Sequence, residues 1–147
     1  NVYVKIPVTN TRGESSEKLI ERLSKSGVKV NVTAVFTRKQ VMTVARVLTG
    51  APAILSIFAG RIADADADPV PAFYFARQCC TMNVELLWAS TRELLNIRQA
   101  EEAGCDIITV PNELLAKMNL IGKDLAEYSL ETVQMFYNDA KASGFQL

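Results

Sequence analysis

Short runs rich in β-branched residues alternate with helix-patterned stretches along most of the chain, and that alternation limits the fold more than any other feature. Strands are predicted at Val2–Val8, Val28–Val35, Ala53–Ala59, Val84–Ala89 and Asp106–Val110. Helices are predicted at Ser16–Ser26, Arg38–Leu48, Pro71–Met82 and Thr91–Ala103, with Thr91 as a candidate cap. Gly27, Gly50 and Gly104 stand where helices should stop. Five strands with a helix in each gap, spaced roughly 25 to 30 residues apart, describe repeated βα units and a parallel sheet. The tail from Asn112 to Leu147 reads as two helices parted by Gly122-Lys123-Asp124. No linker or low-complexity segment interrupts the pattern, so residues 1–147 are read as one domain.

Side chains on a strand alternate between its faces. Val2, Val4 and Ile6 share one face of the first strand, and Tyr3, Lys5 and Pro7 the other. In the second, Val28, Val30, Val32 and Ala34 oppose Lys29, Asn31, Thr33 and Val35. In the third, Ala53, Leu55, Ile57 and Ala59 oppose Ile54, Ser56 and Phe58. Each strand thus has one apolar face fit to lie under helices, and the polar groups gather on the other. In a closed barrel that second face is the interior, and its C-terminal end is the active-site mouth. Such a barrel has eight strands and about 250 residues, so five strands leave it open and further βα units are expected upstream of Asn1.

Composition removes several function classes. Sixteen basic and sixteen acidic residues cancel, so no bulk field favours nucleic acid or an anionic membrane. There is no histidine, which excludes Ser-His-Asp and Cys-His catalysis and histidine-ligated zinc within this sequence. Cys79, Cys80 and Cys105 form no disulfide framework and suit a reducing cytosol. No run of about 18 apolar residues is present, so no membrane span is expected. Asp64-Ala65-Asp66-Ala67-Asp68 mimics the start of a calcium loop, but Pro69 and Phe75 stand where that loop needs glycine and glutamate.

Lys5 stands alone among apolar neighbours in Val4-Lys5-Ile6-Pro7-Val8. An ammonium stripped of water gives up its proton more easily, and the neutral amine attacks carbonyls. The alternative is a strand-end lysine that snorkels to solvent. Arg61 follows the third strand and Arg92 the fourth, placed to clamp one phosphate, with Ser90 and the amides opening the next helix as further donors. The alternative pairs Arg61 with Asp64 or Asp66, and Arg92 with a helix carboxylate such as Glu93.

Four segments together resemble the successive motifs of the transaldolase family, which includes the fructose-6-phosphate aldolases. They are Val4-Lys5-Ile6-Pro7-Val8-Thr9, Asn31-Val32-Thr33, Ser56-Ile57-Phe58-Ala59-Gly60-Arg61-Ile62 and Ala89-Ser90-Thr91-Arg92. The resemblance runs from residue 1 to about 125 and implies a (β/α)8 TIM barrel, of which this chain carries the last five units, strands four to eight, and C-terminal helices. It implies that Lys5 forms a Schiff base with a ketose phosphate and Thr33 holds the catalytic water. Asn31 and Ser56 would contact the dihydroxyacetone part, with Phe58 beside it, and Arg61, Ser90 and Arg92 would bind phosphate. The reaction implied is transfer of a dihydroxyacetone unit from fructose 6-phosphate or sedoheptulose 7-phosphate to an aldose phosphate. It belongs to the pentose phosphate pathway in the cytoplasm, and needs neither metal nor organic cofactor.

The departures are specific. The family's two proton-transfer carboxylates would lie upstream of Asn1, so this chain alone is expected to be inactive. Phe58 stands where the aldolase branch tends to carry tyrosine, which favours transfer over release of free dihydroxyacetone. A transaldolase for a sulfonated sugar remains a variant, because paired arginines accept sulfonate as they do phosphate. The rival of another class is an inactive half-barrel used in assembly. Leu125, Tyr128, Leu130, Val133, Phe136 and Tyr137 recur at near-helical spacing, and in short members of the family such a C-terminal helix reaches a neighbouring subunit, so a homo-oligomer is expected.

Overall fold

The computed structural model describes residues 2–144. Its strands are β1 (Val4–Pro7), β2 (Val30–Val35), β3 (Ala53–Ile57), β4 (Val84–Trp88) and β5 (Ile107–Ile108). They form one parallel sheet in the order β1-β2-β3-β4-β5. A strand order that follows the chain without reversal is the order of a (β/α) barrel; a doubly wound sheet changes direction partway. The chain is therefore part of such a barrel.

Helices α1 (Glu17–Lys25), α2 (Arg38–Ala45), α3 (Ala59–Asp64), α4 (Val70–Cys79) and α5 (Leu95–Glu102) fill the gaps between strands. A short α6 (Asn112–Leu115), a 3-10 turn (Met118–Leu120) and the long α7 (Leu125–Ala142) follow. Helix ends obey local chemistry. Thr37 and Gln40 form a reciprocal capping box at the start of α2. Gly27 (φ 79°) and Gly104 (φ 71°) end α1 and α5, each with the paired backbone bonds of a left-handed helix stop. Gly50 stops no helix, since α2 has already ended at Ala45; a side chain there would strike the Ser24 carbonyl.

Between the helices and the sheet lies the main core, built on Val30, Val32, Leu55, Ile57, Leu86 and Trp88 from the strands, with Ile20, Val41, Val44 and Phe73 from the helices. Trp88 is fully buried and stacks on Phe73 at 4.8 Å, a packing role as its strand position suggests. A smaller cluster on the opposite face holds Ile54, Leu87 and Ala89, with Tyr3, Phe58 and Ile107 against it. None of the described helices is long and apolar enough to cross a membrane.

Three local expectations are corrected. Ala34 takes φ 59° and the β2–β3 register slips between Val32 and Val35, so strict alternation fails there. Val35 joins the helix-side core instead of sharing the Thr33 face. The third strand stops at Ile57, and Ala59–Asp64 is helix, although the strand is expected to run to Ala59 and no helix is expected before Pro71. Thr91 does not cap α5, which begins at Leu95; its hydroxyl is buried without a protein partner.

Candidate active site

Parallel pairing puts the C-terminal ends Pro7, Val35, Ile57, Trp88 and Ile108 along one rim. Lys5 lies two residues inside that rim on β1. Register sets Lys5 beside Asn31, Asn31 beside Ile54, and Ile54 beside Glu85. Neighbours in such a row share a face. Since Ile6 belongs to the helix-side core, Lys5 projects to the other face, which carries the Ile54–Leu87–Ala89 cluster. Glu85 ends the same row and is exposed.

The expected desolvation of Lys5 is not provided by these residues. Lys5 is exposed, as is Pro7, and Val4 keeps 45% of its surface open. The cause is position: β1 is an outer strand of the sheet, with β2 as its one neighbour among the described residues.

Next to it, Ser56 is buried and its hydroxyl donates to Asn31 Oδ1 at 2.6 Å, fixing that side chain across two strands. Thr33 keeps 8% of its surface, and its hydroxyl has no protein partner. Buried polar groups normally have a partner, so this hydroxyl retains unused bonding capacity next to the rim.

At the rim, Phe58 packs against Phe36, with ring centres 5.6 Å apart, and the Arg61 guanidinium lies 5.5 Å over the Phe58 ring. Arg61 forms no ion pair among the described residues, so neither Asp64 nor Asp66 takes it. Arg92 pairs with Asp64, not Glu93: Nη2 reaches Oδ2 at 2.6 Å and Nε lies 3.2 and 3.3 Å from the two carboxylate oxygens. The hydrogen bond from Arg92 to Asp64 holds the guanidinium in its charged form more firmly than usual.

Two features of this rim escape a sequence reading. The first is Gly60. Its amide donates to the Ala89 carbonyl at 3.3 Å, and a Cβ there would sit 1.5 Å from the Ser90 carbonyl oxygen and 3.1 Å from Arg92 Cγ. Glycine lets the segment after β3 lie directly on the segment after β4. Ser90 meets it with φ 66°, a left-handed conformation that costs a non-glycine residue roughly 1–2 kcal/mol. Backbone strain of this kind collects at functional sites. The second is Asn96, buried, whose Oδ1 accepts from the amides of Arg92 at 2.9 Å and Glu93 at 3.2 Å. Those two amides are therefore satisfied within the chain, which corrects the expectation that they would serve an anion. An asparagine four residues after an arginine at a helix start is the signal that would have found it.

Lys5, Asn31, Ser56 and Thr33 thus lie on adjacent strands, and Arg61, Ser90 and Arg92 on two touching rim segments. A family described as transaldolase/fructose-6-phosphate aldolase matches residues 1–147. A probable transaldolase of Pelotomaculum thermopropionicum is 33% identical over 136 residues, covering 89% of this chain and 58% of that protein. A probable transaldolase of Thermoanaerobacter sp. is 30% identical over 150 residues, covering 100% and 64% respectively. Probable transaldolase 2 of Listeria monocytogenes is 34% identical over 121 residues, covering 80% and 52%. The chain spans between about half and two thirds of the length of these relatives.

Proposed function

The chain belongs to the transaldolase/fructose-6-phosphate aldolase family, and from that premise we propose that it carries the amine and the phosphate grip of a Schiff-base transaldolase. The observation that carries this reading is the placement of Lys5 on the face and in the row that hold Asn31, with Ser56 bonded to that asparagine. In this reading the Lys5 amine adds to the ketose carbonyl carbon, and loss of water gives an iminium. The iminium accepts the electron pair released when the C3–C4 bond breaks, so the aldose departs and a dihydroxyacetone enamine stays on Lys5. The enamine carbon then attacks the aldehyde of the acceptor, and water returns to free the new ketose. Catalysis follows from holding the reacting atoms together and from splitting one hard step into easier ones.

The other residues take parts that their surroundings support. Asn31, fixed by Ser56, binds hydroxyls of the three-carbon unit. Thr33, with its unused hydroxyl, holds the water that relays protons. Arg61, Ser90 and Arg92 take the phosphate, and Phe58 forms an apolar wall in place of a tyrosine hydroxyl. In a closed (β/α)8 barrel every strand has a neighbour on both sides, and a strand beside β1 would cover Lys5 and offer a place for the proton-transfer carboxylates that the family resemblance implies. We place the enzyme in the cytoplasm, in sugar-phosphate interconversion of the pentose phosphate pathway, with sugar phosphates as its partners.

A second reading, an inactive half-barrel used in assembly, is favoured by one observation, the exposed Lys5. Borohydride trapping separates the two. In the full-length protein incubated with fructose 6-phosphate, peptide mass spectrometry should find a dihydroxyacetone-sized adduct on Lys5 and none in Lys5→Ala. An equal yield in Lys5→Ala moves the nucleophile elsewhere, and no adduct in either favours the assembly role.

A further inference from the structure

A guanidinium offers five N–H groups in a flat fork, and which of them are committed decides what the rest can bind. In Arg92 the Nε edge is committed: Nε and Nη2 both face the Asp64 carboxylate. The opposite edge, made by Nη1 and the outer hydrogen of Nη2, donates to no group among the described residues. Asp64 is the last residue of α3, and Arg92 follows β4, so the pair ties the two rim segments that already touch at Gly60. The neighbouring carboxylates do not share this task. Asp68 accepts from the Val70 amide, and the Glu93 carboxylate makes no bond to Arg92.

Resting on the reading of Arg92 as part of the phosphate grip, we propose that Asp64 is a positioning residue: it holds Arg92 side-on so that the outer edge faces a tetrahedral oxyanion as a ready two-pronged donor. A long arginine side chain loses much rotational freedom when it binds a ligand. Fixing it beforehand moves that loss from the binding step to folding. The same carboxylate neutralises part of the local charge, so a purely electrostatic account gives the opposite sign, with Asp64 weakening the anion's hold. Arg61, without an ion pair among the described residues, supplies the uncompensated charge, while Arg92 supplies direction.

The test compares capture of fructose 6-phosphate with capture of unphosphorylated fructose in the full-length protein, read as half-saturating concentration and maximal rate of borohydride trapping. For Asp64→Ala the half-saturating concentration of fructose 6-phosphate should rise about tenfold, the size of one lost charge-assisted hydrogen bond. The value for fructose and the maximal rate should stay as they are. Asp64→Asn keeps an acceptor oxygen and should recover part of the loss. Tighter or unchanged binding of fructose 6-phosphate in Asp64→Ala, with weaker binding in Arg92→Ala, overturns the role of Asp64 and leaves the phosphate grip standing. If Arg92→Ala treats the two sugars alike, the grip itself fails and the role of Asp64 fails with it. Both side chains are about half exposed, so thermal melting of the variants should match the parent.

Discussion

Lys5, Cys80 and Cys105 show how far a side chain's chemistry depends on what surrounds it. Cys80 follows the end of α4 and packs half-buried against the main core, where burial first and Cys79 second push its thiol up to about 11. Burial first, then Asp106, push Cys105 up to about 12. In the unfolded chain a thiol ionises near 8.5. Below that value both states keep their protons and the contribution to stability is complete. Above it the unfolded chain sheds protons that the folded chain retains, so stability falls as pH rises towards 11 and then 12. Melting temperatures measured from pH 8 to 10.5 should decline, and a Cys80→Ala, Cys105→Ala double variant should decline less. Equal slopes in parent and variant would sink this assignment. The polar site residues were legible as residues, because lysine, asparagine, threonine and serine stand out on strands that are otherwise apolar. Their environment was less so: the exposure of Lys5 comes from β1 being an outer strand, which its own neighbours in sequence do not reveal.

At the scale of elements, periodicity located every strand and most helices because the apolar faces are regular. It failed where backbone geometry broke the period. Ala34 adopts a left-handed conformation with nothing in its side chain to announce it, and one such residue turns Val35 to the helix side. Without that turn the Thr33 face would continue with a bulky apolar group. Ala34→Val puts a β-branched side chain into the left-handed region, where branching clashes most, and should cost about 2 kcal/mol. Urea unfolding reads it as a lower midpoint with an unchanged slope; an unchanged midpoint means the bulge relaxes freely. Helix α3 was missed for a related reason. It is six residues long, is separated from β3 by Phe58 alone and contains glycine, so no helical period has room to show.

For the whole molecule, α7 is the informative element. None of its residues is buried, yet it exposes Leu125 at 80% and Phe136 at 61%, with Leu130, Val133 and Tyr137 also open. The apolar spacing of the tail leads to the expectation of a homo-oligomer, and truncation tests it. Removing residues 123–147 should leave the melting temperature of the sheet and its helices nearly unchanged while sedimentation shifts to a smaller species. A collapse in melting temperature would mean that α7 supports its own subunit instead.

Gly60 has a bearing on how such a protein can change. With no side chain between them, the segments that carry Arg61 and Arg92 behave like meshed gears, and neither can be displaced without dragging the other. Substitutions on the two sides will not add, and a change in one segment has to arrive with a matched change in the other.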